Sequence, residues 1–241
     1  MNTPQLQDWF DALDATWPGR AVHALGPWRI REGAGGGQRV SAATTAVGDV
    51  SDAEIAEAEE FHRSLGQKPL FQIRPGQAAL DARLAARGYR MNDATELRAA
   101  PVTQFTPPPR LRSIMHWPPL ALTREIWQGD HIGPERVAVM ERVEGQKTAL
   151  IGRDGNDADR ASGAAFVACS GRIAMLHALV VLPNMRRRGS ANYMMCGAAE
   201  WAQDHGADWL AVAVTQANAG AAALYTSLEM PVVGDYHYRS L

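Results

Sequence analysis

The segment from Ile173 to Val214 constrains the fold more than any other part of this chain. Ile173 to Leu182 is a long, mostly apolar run that reads as a strand. A turn carrying Arg186, Arg187 and Arg188 follows, and Gly189 to about His205 reads as a helix rich in small residues. Trp209 to Val214 then returns to an apolar strand. A buried strand feeding a loop, a helix and another strand predicts an α/β architecture rather than a helical bundle.

The rest of the pattern extends that reading. Helices are expected over Gln5–Thr16, Asp52–Leu65, Gln77–Ala86, Pro119–Gln128, Pro134–Arg142 and Ala219–Leu228. Ser51 with Glu54 makes a capping box, Leu80 and Leu84 repeat at helical spacing, and proline near a helix start removes an amide that has no partner there anyway. Strands are expected in Arg20–Arg31, Arg39–Thr45, Leu70–Ile73, Lys147–Gly152 and Gly163–Cys169. Extended chain also starts at Tyr89 and Met91, continues in Leu97–Phe105, and recurs in the tail with Val232, Val233, Tyr236 and Tyr238. Gly33 to Gly37 reads as a flexible turn, and Arg153 to Asp157 as an exposed one. Pro107-Pro108-Pro109 marks a soft boundary, giving units 1–105 and 106–241.

Composition excludes several classes. Hydrophobic residues make up 46% and charged residues 21%, so the chain has a core to bury. The net charge of -2, with neither half basic, gives no field for nucleic acid. Two cysteines, Cys169 and Cys196, build no disulfide framework or multi-cysteine metal site. The seven histidines form no close ligand set, so no metal is expected. The first twenty residues hold Asp8, Asp11 and Asp14 without an apolar core, and no run suits a membrane span. The expectation is a cytoplasmic protein with no membrane partner. With 22 arginines against Lys68 and Lys147, a single arginine carries little weight.

Arg186-Arg187-Arg188-Gly189-Ser190-Ala191 has two readings from the residues themselves. It is a solvated arginine-rich turn, or it is an anion seat in which helix-start amides donate to phosphate oxygens and the helix dipole adds roughly 0.3–1 kcal/mol. In its strand-to-helix setting, with Val181-x-Pro183 before it and Tyr193, Met194 and Met195 after it, the segment resembles the Arg/Gln-x-x-Gly-x-Gly/Ala motif of the GCN5-related N-acetyltransferase (GNAT) superfamily. Trp209–Val214, Asn218 and Ala221 to Met230 resemble the family's next strand and its Asn-x-x-Ala-x-x-Leu/Phe-Tyr region, with Glu229-Met230 in place of Gly-Phe. The two signatures cover about residues 113–241. The resemblance implies a central mixed sheet flanked by helices, with a reduced GNAT-like copy in the first half. That copy lacks the basic loop and carries Asp49 and Asp52 instead. Its open roles are shaping the acceptor channel, stabilising the fold, or building an interface such as a homodimer.

The resemblance further implies one acetyl-CoA site and direct acetyl transfer to a primary amine, on a small molecule or a peptide. Its pyrophosphate would lie at Arg186, Arg187, Arg188, Gly189, Ser190 and Ala191, and its pantetheine arm beside backbone groups near Leu179 and Val181, with Asn218 adjoining. Tyr225 is the implied general acid toward the thiolate; its alternative is packing. His177 shares the face of Leu179 and Val181 and is read either as the base or as a buried histidine bonded to the backbone. Trp117, Trp127, Tyr236 and Tyr238 are acceptor-side candidates, as are Glu125 and Glu135; completion of the core and ordinary helix surface are their alternatives. The other functional expectation is a non-enzymatic acyl-CoA sensor or interaction module.

Overall fold

The computed structural model describes residues 2–154 and 160–241. In chain order the elements are α1 (Leu6–Thr16), β1 (Ala21–Leu25), β2 (Trp28–Glu32), β3 (Ala43–Thr45), α2 (Asp52–Ser64), β4 (Leu70–Ile73), α3 (Ala78–Ala86) and β5 (Arg90–Pro101). They continue with β6 (Ser113–His116), α4 (Ala121–Gln128), α5 (Pro134–Arg142), β7 (Lys147–Arg153), β8 (Ala161–Ser170), β9 (Ile173–Val181), α6 (Ser190–Asp204), β10 (Trp209–Thr215), α7 (Ala219–Ser227) and β11 (Val232–Ser240).

The local chemistry accounts for many of these boundaries. Ser51 accepts the Glu54 amide at 3.3 Å while Glu54 takes the Ser51 amide at 2.7 Å, which starts α2 where the capping box requires. Leu80 and Leu84 point α3 into the core, both fully buried. Proline opens α5 and Asn218 caps α7 by accepting the Ala221 amide at 3.1 Å.

All eleven strands form one mixed sheet in the order β1-β2-β3-β4-β11-β5-β10-β9-β8-β7-β6. Only β3 with β4 and β9 with β10 pair in parallel among the described residues. Exchanging β1–β5 with β7–β11 in turn reverses the strand order onto itself, with β6 as an added edge. The axis of this repeat falls between β5 and β11. Each half therefore gives its last strand to the other: β11 lies between β4 and β5, and β5 lies between β11 and β10.

The helices cover both faces. On the second half, α6 packs on β7 to β10 through Met194, Met195, Ala198 and Ala202, and α4 and α5 cover the opposite face through Trp127, Val139 and Met140. On the first half, α2 and α3 cover β2 to β4. The remaining helix, α1, crosses the centre, setting Trp9, Phe10 and Leu13 against β5, β9, β10 and β11.

The structure departs from the sequence reading in five places. Arg39–Thr45 is not one strand: Gln38–Val40 is a 3₁₀ turn and only Ala43–Thr45 pairs. The glycine turn is not loose either, because a Cβ on Gly36 would lie 2.6 Å from Val139 and 2.9 Å from Val40. Arg90–Pro101 is a single strand held on both edges, by β11 and β10. The short edge strand β6, too mixed in polarity to stand out, pairs with β7. In the turn predicted to be exposed, Asp154 is buried, and residues 155–157 lie outside the described residues.

Candidate active site

The parallel strands β9 and β10 pair from Ile173↔Trp209 to Leu176↔Val212 and then part. Past that point His177–Val181 and Ala213–Thr215 face each other without a shared ladder. The parting is reinforced by a bulge. Phe166 on β8 opposes His177 and Ala164 opposes Val180, so Ala178 and Leu179 stand against Ala165 alone. Ala178 adopts φ +52°, a left-handed conformation that a non-glycine residue holds only under external support. That support includes Trp127, fully buried, whose indole N–H donates to the Ala178 carbonyl at 3.0 Å.

The gap opens into a cavity of about 430 Å³. From the second half, its walls are His177, Ala178, Leu179, Asn218, Tyr225 and the β11 tyrosines Tyr236 and Tyr238. From the first half come Trp17, Gln38, Arg39, Asp93 and Thr95. The chain thus brings together side chains that lie as far apart in sequence as Thr16 and His177, which are in contact.

Around His177 the hydrogen bonds fix the tautomer. The Thr16 hydroxyl donates to the Ala12 carbonyl at 2.7 Å, so it takes the Nε2–H of His177 at 2.9 Å. Nδ1 then accepts from the Arg39 guanidinium at 3.2 Å. Burial, and then the Arg39 charge, hold His177 well below the usual imidazole range. His177 is therefore neutral, with its one lone pair facing an arginine. In this arrangement that nitrogen offers no free lone pair to an amine proton. Its partners are side chains, not the backbone group of the alternative reading.

Tyr225 is a different case. Its side chain closes the core below α7 and also lines the cavity, and burial pushes its phenol up to about 12. The hydroxyl stays protonated at neutral pH, and it has no hydrogen-bond partner among the described residues. On β11, Tyr236 and Tyr238 pack edge to face with ring centroids 5.6 Å apart, and Tyr238 accepts from the Gln72 amide at 3.4 Å. Burial raises the Tyr238 phenol far above its ordinary range.

The basic turn follows directly on β9. A 3₁₀ turn at Pro183–Met185 leads into exposed Arg186, Arg187 and Arg188, with Gly189 at φ +81° as the residue before α6. The first helical bond runs from the Tyr193 amide to the Gly189 carbonyl at 3.0 Å, so the amides of Ser190, Ala191 and Asn192 precede it. Arg186 donates to the Val181 carbonyl at 3.3 Å, and Arg188 lies 3.7 Å from the Asp154 carboxylate. Val181 and the turn residues lie beyond the cavity wall, on the continuation of the strand that forms it.

The acceptor-side expectations divide. Tyr236 and Tyr238 line the cavity. Trp127 does not, since it sits behind the bulge as its anchor. Trp117 packs on Phe166 with ring centroids 5.6 Å apart, under the Lys147 ammonium, and is likewise outside the wall. Glu125 is exposed on α4, and neither it nor Glu135 on α5 is part of the wall. Asn218 lines the cavity while capping α7. Arg39, Thr16 and Asp93 were missed, and the only local signal at Arg39 is the close-packed glycine run before it. Among the described residues no cluster could hold a metal ion, and no helix is long and apolar enough to cross a membrane.

Comparison with known proteins gives a consistent picture. Residues 116–230 match the acetyltransferase (GNAT) family model. The uncharacterized N-acetyltransferase YobR of Bacillus subtilis (strain 168) is 25% identical over 236 residues, covering 93% of this chain and 94% of the relative. A GCN5-related N-acetyltransferase from Kribbella flavida superposes with a TM-score of 0.69 at 16% identity, over 100% of this chain and 96% of that one. A tandem GNAT protein from the clavulanic acid biosynthesis pathway superposes with a TM-score of 0.61 at 13% identity, over 95% of this chain and 85% of that one.

Proposed function

We propose that this chain, which carries the GNAT-superfamily acetyltransferase fold, moves an acetyl group from acetyl-CoA directly to a primary amine. The observation that carries the reading is the parting of β9 and β10 over a cavity, one strand end away from a helix start with open amides. These residues fit the cosubstrate. Ser190, Ala191 and the Gly189 turn would hold its pyrophosphate, with Arg186 to Arg188 adding charge. Backbone groups of Ala178 and Leu179, released from the β8 ladder, would bond the pantetheine amides as an added strand does.

When bound, acetyl-CoA supplies a thioester carbon; transfer forms the N–C bond, breaks the C–S bond, and leaves an acetamide and free CoA thiol. Tyr225 holds its proton across the neutral range and would donate it to the leaving sulfur. The bulge keeps backbone donors out of the regular ladder, where they can meet charge developing on an acyl oxygen. His177 does not take the amine proton in this scheme; it positions Arg39 and holds α1 against β9. The amine proton leaves through water. Residues 106–241 supply the acetyl-CoA side, and residues 1–105 shape the acceptor side.

Calorimetry with acetyl-CoA tests the reading. Binding is expected for the wild type and strongly weakened in Gly189→Glu, which forces a side chain and a negative charge into the φ +81° position. An unchanged dissociation constant would remove the turn from the site. Because both ring nitrogens of His177 are engaged, a second reading is kept: a non-enzymatic acyl-CoA sensor, which would bind acetyl-CoA yet release no CoA with any amine.

A further inference from the structure

Arg39 is enclosed without a counter-charge. Its Nε is sealed from solvent and unpartnered, and Nη1 meets neutral His177. Tyr236 and Tyr238 line the same cavity. No carboxylate lies within ion-pair distance among the described residues. Five other poorly exposed arginines of this chain are treated differently. Arg31 and Arg74 share Asp14 at 2.6 and 3.0 Å, Arg87 has Glu59 at 3.0 Å, Arg98 has Glu96 at 2.8 Å and Arg239 has Asp81 at 2.6 Å. A guanidinium taken out of water is costly unless an anion pairs with it. The guanidinium nevertheless stays charged, as arginine does inside proteins.

The location supplies the missing partner. Arg39 lines the cavity next to His177, the residue before the bulge, so a group paired with it lies beside the proposed acyl position. Arg136 of α5 adds a second positive charge to the wall. Asp93, the one carboxylate of the wall, is held by the Gln38 amide at 2.9 Å. Tyr238 accepts from Gln72 at 3.4 Å, which leaves its own O–H to donate. A guanidinium and phenol hydroxyls that line one cavity suit a carboxylate.

We propose that the acceptor is a small amino acid-type molecule whose carboxylate pairs with Arg39 and the Tyr236–Tyr238 hydroxyls while its amine receives the acetyl group. This rests on the transferase reading and names its substrate class.

Matched pairs test it: glycine against glycinamide, β-alanine against β-alaninamide, and the L-amino acids against their carboxamides, each assayed for acetyl-CoA-dependent CoA release. At least one carboxylate-bearing member is expected to exceed its carboxamide by about 30-fold or more in kcat/KM, as a charge-assisted bidentate contact allows. Arg39→Gln should erase that preference through KM, and Arg39→Lys should restore part of it. Acetyl-CoA affinity should stay unchanged in both variants. The thermal midpoint of unliganded Arg39→Gln should hold or rise, since an unpaired charge is gone; a purely structural arginine would lower it. Carboxamides that serve equally well, a preference that survives Arg39→Gln, or no release from any pair would overturn the proposal. Loss of wild-type acetyl-CoA binding would instead bring down the transferase reading beneath it.

Discussion

Replacing Trp127 with phenylalanine isolates the device that opens the candidate site. The indole is fully buried and its N–H is bonded to the Ala178 carbonyl at 3.0 Å. Phenylalanine keeps an aromatic ring there and removes that donor. Ala178 is partly exposed to the cavity, so the orphaned carbonyl costs about 1–2 kcal/mol, the lower part of the range for an unsatisfied group. The smaller ring adds about 1 kcal/mol for lost contacts and residual space. The sum, about 2–3 kcal/mol, lowers the unfolding midpoint by roughly 4–12 °C in a chain of this size. Trp117→Phe is the control, because its ring is only partly buried and bonds nothing at the bulge; its shift should correspond to less than about 1 kcal/mol. Calorimetric unfolding of both variants, with turnover measured beside it, reads the difference. Trp127→Phe should also lose turnover more than Trp117→Phe does, since Ala178 can then relax from φ +52°. Equal midpoints for the two variants would refute the anchoring argument.

Two further perturbations probe the chemistry. Tyr225→Phe should lower turnover about 100-fold and leave acetyl-CoA binding intact; normal turnover across pH would remove the general-acid role. His177 is neutral when folded and its pKa is depressed, so the unfolded chain binds the extra proton below its own value near 6.5. Its contribution to stability is complete above that value and lost as pH falls toward the folded pKa, by about 1.4 kcal/mol per pH unit at most. Urea unfolding should therefore show a shallower acid decline in His177→Gln than in the wild type, over and above the contributions of His62 and His116, whose pKa values burial also lowers. An unchanged slope would mean that His177 protonates as freely in the folded chain.

What the sequence made legible was local. The Ser51–Glu54 box, the Leu80/Leu84 stripe and the order of strand, basic turn, helix and strand after Ile173 each depend on neighbours within a few residues, and the structure places them as read. The bulge was not legible, because its anchor lies on α4, 51 residues from the carbonyl it holds. The chemistry of His177 depends on Thr16 and Arg39, 161 and 138 residues away. Periodicity put His177 on a strand face correctly and carried no information about what faced it. Trp127, read as an acceptor contact, illustrates the same limit: an apolar ring near a helix end has no signature that separates a wall from a core.

The internal repeat explains why the two halves differ in chemistry. The counterparts of β9 and β10 are β3 and β4, which share one registered pair, Ala43↔Phe71. A second cavity, of about 380 Å³, lies there, but its polar lining is tied into the scaffold. Asp14 bridges Arg31 and Arg74, and Arg74 stacks on Phe10 at 4.3 Å. Where the second half has three arginines before its helix, the first has Asp49, paired with Arg83 at 2.9 Å, and Asp52, 3.6 Å from Arg87. An acidic approach to a helix start repels a diphosphate, so the fold repeats without repeating the anion seat. The exchanged strands then bind the two roles together. The tyrosines that line the cavity stand on β11, which is seated between β4 and β5 of the first half, and Arg39 of that half lines the same cavity. A cleft assembled this way takes the β9 backbone of its wall from the second half and Arg39 from the first.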